Sequence, residues 1–312
     1  MSDLVINVSE DKLLEFGSNI LDILLEDKTT GRNIIWATDD YIYLGEEYYS
    51  RYPITVSLIT GHHANVIQPR IAKAKQNQTA RTKEKAEVFT PAWVCNEQNN
   101  LVDKAWFGKE NIFNSSGFKT WTINTDKIPF GSKKGERWQD YVDAKRLEIT
   151  CGEAPYLTSR YDMATGKYIP VDHRIGLLDR KIRVVNENVA DKEEWLIWTF
   201  RALESIYGFE YQGDSLLIAR ENILYTFIEN VENSLQRKPS DKEMRRAAHI
   251  IAWNIWQMDG LSFTVPFGTL SEPYRQISFM DMDLLEQKQI YCKIHDWRLK
   301  ETLFYKSLIK EK

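Results

Sequence analysis

Cysteine is scarce in this chain, and Cys95, Cys151 and Cys292 stand alone with no CxxC spacing. Three isolated thiols exclude a disulfide framework and any strong zinc signature. Long apolar runs are lacking too: none reaches the roughly 18 residues a membrane span needs, and the N-terminal MSDLVINVSEDKLLEF already carries acids. No membrane association is expected, and the chain is expected to be cytoplasmic. Charge of one sign is lacking: a net charge of −4 gives no global basic signal, so nucleic-acid binding has to come from a local patch. Internal repeats, a P-loop and a Gly-x-Ser-x-Gly elbow are likewise missing.

What is there reads as an ordinary globular protein, 43% hydrophobic and 28% charged over 312 residues, enough for one large domain or two modest ones. Residues 1–68 hold short mixed apolar runs (LVINV, NIIWAT, ITVSLIT) and read as a small α+β extension; the remainder, 69–312, forms the main domain. Residues 70–85 carry six Lys or Arg against one acid. They suit a phosphate-contacting arm, but charge runs are usually solvated, so a solvated helix face or flexible linker is the preferred reading. Thr90 sits where an N-cap belongs and Pro91 at the first helical position, so a helix should start there.

Two stretches, about 108–140 and 158–195, read as polar insertions. Between and after them the pattern alternates. KRLEITCGEAPYL gives a short strand and a small-residue turn. SIYGFE gives a second strand, and SLLIARENILYTFIENVENSLQ has helical spacing at Leu217, Leu224, Phe227, Ile228, Val231 and Leu235. Ser240 and Glu243 form a capping box opening DKEMRRAAHIIAW. NIWQMDGL follows as a third strand with an Asp-Gly turn. Strand, helix, strand, helix, strand argues for an α/β fold with a parallel sheet.

Each strand ends in a polar or small cluster: Glu148 to Pro155, Tyr207 to Tyr211, and Met258 to Leu261. In open α/β sheets ligands bind beyond the carboxyl ends of the strands. A nucleotide-like ligand needs a close-approach turn, a carboxylate for its ribose hydroxyls and a polar group facing its base. Gly152, Glu210 and Asp259 can supply these in turn.

The order Phe89-Thr90-Pro91, LEITCGEAPYL, SIYGFEYQGDSLLIAR, NIWQMDGL resembles the γ-class DNA adenine methyltransferases, including the fused type IIG restriction enzymes, over roughly residues 81–262. The resemblance implies a Rossmann-like fold, here with a truncated or incomplete sheet, binding S-adenosyl-L-methionine. It implies that Thr90 and Pro91 lie beside the methionine end of that cofactor. Glu148, Cys151, Gly152, Tyr156 and Leu157 match the family's first strand end. Glu210, with Tyr211 beside it, matches the ribose acid, and Asp259 matches the contact to the adenine amino group. Ile149 stands where the family prefers Pro and Ala154 where it prefers a second Gly; the Ala154 methyl narrows the space for the methionine moiety.

The family's catalytic tetrad, (N/D/S)-P-P-(Y/F/W), holds an extruded adenine in line with the activated methyl group. Downstream of Asp259 the only approximation is Ser271-Glu272-Pro273-Tyr274, with Ser271, Pro273 and Tyr274 as candidate catalytic residues and Glu272 in place of the first Pro. The final KIHDWRLKETLFYKSL offers one strand or one helix, too little for the rest of such a sheet. The resemblance therefore implies methylation of adenine in DNA within a restriction–modification system. The alternative is a catalytically incomplete cofactor- or DNA-binding subunit completed by a partner protein, and a third possibility is methylation of RNA or protein. The adjacent His62 and His63 read as surface or packing residues, and Lys145 with Asp140, Asp143 and Glu148 lacks the spacing of a nuclease site. No metal is implied.

Overall fold

The computed structural model describes residues 10–17, 19–73, 90–269 and 289–309. Helices α1 (Glu10–Glu15) and α2 (Ile20–Leu25) lead into a hairpin of β1 (Glu26–Asp27) and β2 (Arg32–Asn33). Helix α3 (Ala92–Phe107), a hairpin of β3 (Asn114–Gly117) and β4 (Thr120–Ile123), and helix α4 (Trp138–Asp143) precede strand β5 (Arg146–Glu148). Helices α5 (Leu177–Asn188) and α6 (Lys192–Leu203) connect to strand β6 (Ile206–Glu210). Helices α7 (Gly213–Leu235) and α8 (Asp241–Asn254) connect to strand β7 (Ile255–Gln257), and a hairpin of β8 (Lys293–Asp296) and β9 (Glu301–Phe304) follows.

The protein is mixed α/β, and its one parallel sheet among the described residues has the order β5-β6-β7. Arg146 pairs with Ile206 and Glu148 with Gly208; Gly208 pairs with Ile255 and Glu210 with Gln257. All five residues of β6 are buried, as a strand covered on both faces requires. The face bearing Ile206 and Ile255 joins a core that runs from Leu13 to Ile255. The face bearing Tyr207, Phe209 and Trp256 packs against Cys292 and Ile294 of the C-terminal hairpin.

Helix α7 is the axis of the molecule, buried along almost its whole length. Its Arg220 is fully buried and donates to four carbonyls: Leu24 and Glu26 at the end of α2, and Ala252 and Ile255 where α8 passes into β7. A charge so buried is tolerable only when its donors are met. Residues from 10 onward thus share the core of the sheet-bearing part, with Ile20, Leu21, Leu24 and Leu25 of α2 fully buried against α8 and α7.

Several local expectations shift. The capping box of α8 forms, with Ser240 Oγ accepting from the Glu243 N–H and Glu243 accepting from the Ser240 N–H. Helix α3 starts one residue later than its Thr-Pro signal suggests: Pro91 is the cap and Thr90 lies outside. The cap acceptor comes instead from Asp162, whose carboxylate takes the Ala92 N–H at 2.7 Å. The stretch 158–195 is no mere insertion, because it contains all of α5, whose Leu178, Ile182 and Val185 are buried in the core. The stretch 108–140 holds the β3–β4 hairpin and the start of α4. The C-terminal segment makes two strands where one strand or one helix is expected, and covers a sheet face. No helix among the described residues is long and apolar enough to cross a membrane.

Candidate functional site

The three strand ends converge. After β5 the chain turns sharply, with Thr150, Gly152 and Ala154 all in the left-handed region at φ +48, +53 and +62. Such a backbone suits glycine and costs other residues on the order of 1–2 kcal/mol each. Ala154, standing where the family pattern prefers glycine, keeps the conformation glycine adopts without strain. The turn is pinned to β6 by the Cys151 N–H on the Phe209 carbonyl, 2.8 Å. A side chain at Gly152 would meet nothing within 4 Å among the described residues, so this turn presents bare backbone to open space.

Glu210 ends β6 and closes on that turn. One carboxylate oxygen accepts from the Gly152 N–H at 2.9 Å; the other accepts from the N–H groups of Tyr211 (2.9 Å) and Gln212 (3.2 Å). Burial raises its pKa, opposed by these three donors and reinforced by the charge of Asp214. Glu148 ends β5 and accepts from the N–H groups of Leu157 (3.1 Å) and Tyr156 (3.4 Å). Burial dominates there too and pushes its pKa up to about 8.

The Glu210 carbonyl accepts from the Met258 N–H at 3.0 Å, which places Asp259 immediately beyond. Asp259 Oδ1 accepts from the N–H groups of Leu261 (2.8 Å) and Ser262 (3.3 Å), holding the turn after β7. Its charge, after burial, helps raise the Tyr211 hydroxyl, so Tyr211 and Asp259 are neighbours beyond the ends of β6 and β7. Thr90 and Pro91 lie near the end of β5, through Cys95 and Tyr156. Cys95, one turn into α3, has its thiol pushed up by burial and then by the Glu148 and Asp162 charges, and the Tyr156 hydroxyl pairs with Thr90. Gly152, Glu210, Tyr211, Asp259, Glu148, Cys151, Thr90 and Pro91 thus sit around one end of the sheet. Ser271, Pro273 and Tyr274 lie outside the described residues, as does most of the basic stretch 70–85.

Residues with no local sequence signal complete the walls. Gly213 opens α7, donates its N–H to the Trp36 carbonyl at 2.9 Å, and lies so close to Ile35 that a Cβ there would sit 2.1 Å from the Ile35 carbonyl oxygen. Asp214, fully buried in the first turn of α7, pairs with Lys73 at 2.9 Å and with the Tyr41 hydroxyl at 2.7 Å. A carboxylate there also complements the helix dipole. Glu153 accepts from the Arg70 N–H at 2.6 Å and from the Tyr161 hydroxyl at 2.7 Å. Arg70 is buried, so the first two cations of the 70–85 stretch face inward. Gln257 exchanges both side-chain hydrogen bonds with the Ile35 backbone and donates to the Tyr211 carbonyl as well.

The remaining sequence candidates have structural partners. Lys145 pairs with Asp296, Asp140 with Arg137, and Asp143 with Arg201 and Arg298. His63 Nδ1 lies 3.1 Å from the Tyr48 hydroxyl on an exposed 3-10 turn. The cysteines are unpaired and buried, and no cluster of three metal-ligating side chains occurs among the described residues. Compared with known protein families, curated proteins and solved structures, the chain matches none.

Proposed function

We propose that the carboxyl ends of β5, β6 and β7 bind S-adenosyl-L-methionine, and that the chain is a γ-class-like methyltransferase acting on the exocyclic amino group of adenine in DNA. The observation that carries the reading is the Gly152–Glu210 contact. A left-handed turn and a strand-end acid on adjacent parallel strands meet at 2.9 Å, with bare backbone facing outward. An ionised carboxylate offers about four acceptor sites, and three are filled here, so a ribose hydroxyl can take the fourth or replace the Gly152 N–H. The sheet order supports the same reading, because three parallel strands in sequence order with helical connections form one half of a doubly wound nucleotide-binding fold. A crevice edged by Glu148 and Glu210 also suits a sulfonium cation. In the reaction the adenine nitrogen would attack the methyl carbon, sulfur would leave as the neutral thioether, and the nitrogen would then lose a proton.

Titration calorimetry with S-adenosylmethionine tests the binding. Saturable heat in the parent chain, with at least tenfold weaker affinity in Glu210→Ala, is expected; no heat in either protein removes the proposal. Transfer of a tritiated methyl group to unmethylated DNA then tests the enzyme.

One observation favours a second reading, a cofactor-binding subunit completed by a partner. Among the described residues β5 is paired on one side only, and Leu147 and Ile149 at that edge are 44% and 65% exposed. A strand supplied by another chain would cover them. Binding of cofactor without methyl transfer, restored by a second protein, selects this reading.

A further inference from the structure

A cleft of about 300 Å³ opens at the outer edge of β7, between the N-terminal segment and the loop that follows β7. None of the strand-end residues Gly152, Glu210, Tyr211 or Asp259 lines it. We infer that this cleft is a separate binding site for a small phosphorylated molecule with a flat apolar body, of mononucleotide size.

The walls are already built. Ile35 and Gln257 exchange backbone-to-side-chain hydrogen bonds at 2.9 and 2.8 Å, locking the N-terminal wall to the end of β7. Ile35 also bridges to Pro53, and Asn33 donates to the Ile54 carbonyl at 2.8 Å. On the other side the Val265 N–H donates to the Ile290 carbonyl at 3.0 Å. A preformed cleft of this size lies at the small end of the range used for metabolite-sized ligands.

Its chemistry is asymmetric. Ile35 and Pro53 on one wall and Val265 and Pro266 on the other give an apolar slot with a proline on each side. The charged groups at its margin are the guanidinium groups of Arg32 and Arg51 and the carboxylate of Asp27. Asp27 is engaged within its own hairpin, accepting from the N–H groups of Thr29 and Thr30 and from the Thr30 hydroxyl at 2.6 Å. Burial also raises its pKa, which weakens it as a counter-charge. The Arg32 side chain is exposed, and Arg51 is held over the Phe267 ring at 4.1 Å. The exposed Arg32 guanidinium beside an apolar slot matches one acidic group on a ring-sized body, and arginine recognises phosphate through paired N–H donors.

Adenosine 5′-monophosphate is the probe, with adenosine and inorganic phosphate as the two halves of its chemistry, each titrated calorimetrically into the whole chain. Saturable binding of the monophosphate is expected, with about tenfold weaker binding of either half and about tenfold loss in Arg32→Glu. Thr269→Trp, at the partly exposed mouth, should weaken it to a similar degree, and Glu210→Ala should leave it unchanged. No saturation by the monophosphate at about 10 mM, or affinity unmoved by both Arg32→Glu and Thr269→Trp, overturns the inference. Loss of binding in Glu210→Ala overturns it as well, by assigning the ligand to the strand-end crevice. Because the strand-end proposal is read by S-adenosylmethionine and Glu210, the two can fail independently.

Discussion

At the scale of single residues, the proposed function rests both binding and pH dependence on the acids at the strand ends. Glu148 holds a proton more tightly in the fold, at about 8, than its ordinary value of 4.5. The fold therefore gains from its protonation. That contribution is complete below about pH 4.5 and is lost as pH rises towards about 8. Glu10, pushed up to about 7 by burial, adds a slope of the same sign. Glu148→Gln should flatten the fall of thermal stability between pH 5 and 8, and melting curves across that range would show it; an unchanged profile counts against the assignment. A sulfonium bound beside Glu148 would draw its pKa back down. Cofactor binding at pH 7 should then release protons, detectable as a binding enthalpy that varies with the ionisation heat of the buffer. Thr150 carries left-handed strain that a β-branched residue tolerates poorly. Thr150→Gly should raise stability by up to about 1 kcal/mol, since relief of strain of about 1–2 kcal/mol exceeds the added freedom of the unfolded chain; a denaturant midpoint shifted downward would contradict this. Glu148 and Glu210 were legible in the sequence because each closes a short apolar run. Their hydrogen-bond partners were not, since Gly152 is 58 residues from Glu210 in the chain.

At the scale of elements, the helices with local signals were readable and those defined by distant packing were not. Ser240 and Glu243 mark α8 from the sequence alone because both halves of the cap lie within one turn. Helix α5 was hidden in a polar stretch because its charged residues, Asp179, Arg180 and Lys181, are buried and met by partners far away. Lys181 donates to the Val142 and Ala144 carbonyls and to Ser205. The N-terminal segment is joined to α7 by a similar long-range fit. Gly213→Ala should force Ile35 away and cost about 1–3 kcal/mol or more, measured by chemical denaturation. A neutral result would show that the contact yields easily. Arg220→Met should cost more, because three buried carbonyls and the part-buried Glu26 carbonyl lose a donor, and each unmet buried group costs about 1–3 kcal/mol.

At the scale of the whole molecule, one end of a parallel sheet gathers what the sequence scattered over residues 90–259, and the N-terminal segment walls it in. The alternation of strands and helices made the α/β class and the sheet readable. The wall formed by residues 35–73 was not readable, because its grip on Gly213, Asp214, Glu153 and Gln257 spans separations of up to 222 residues. The central claim is that Gly152, Glu210 and Asp259 jointly hold an adenosyl ligand. It is tested most directly by following the backbone amides of the labelled protein by nuclear magnetic resonance during titration with S-adenosylhomocysteine, which fills the site without reacting. The account predicts saturable shifts of the Gly152, Tyr211, Gln212 and Asp259 amides at a single affinity, much weakened in Glu210→Ala. Amides at these positions that stay unmoved at saturating ligand, or that move identically in Glu210→Ala, would contradict it.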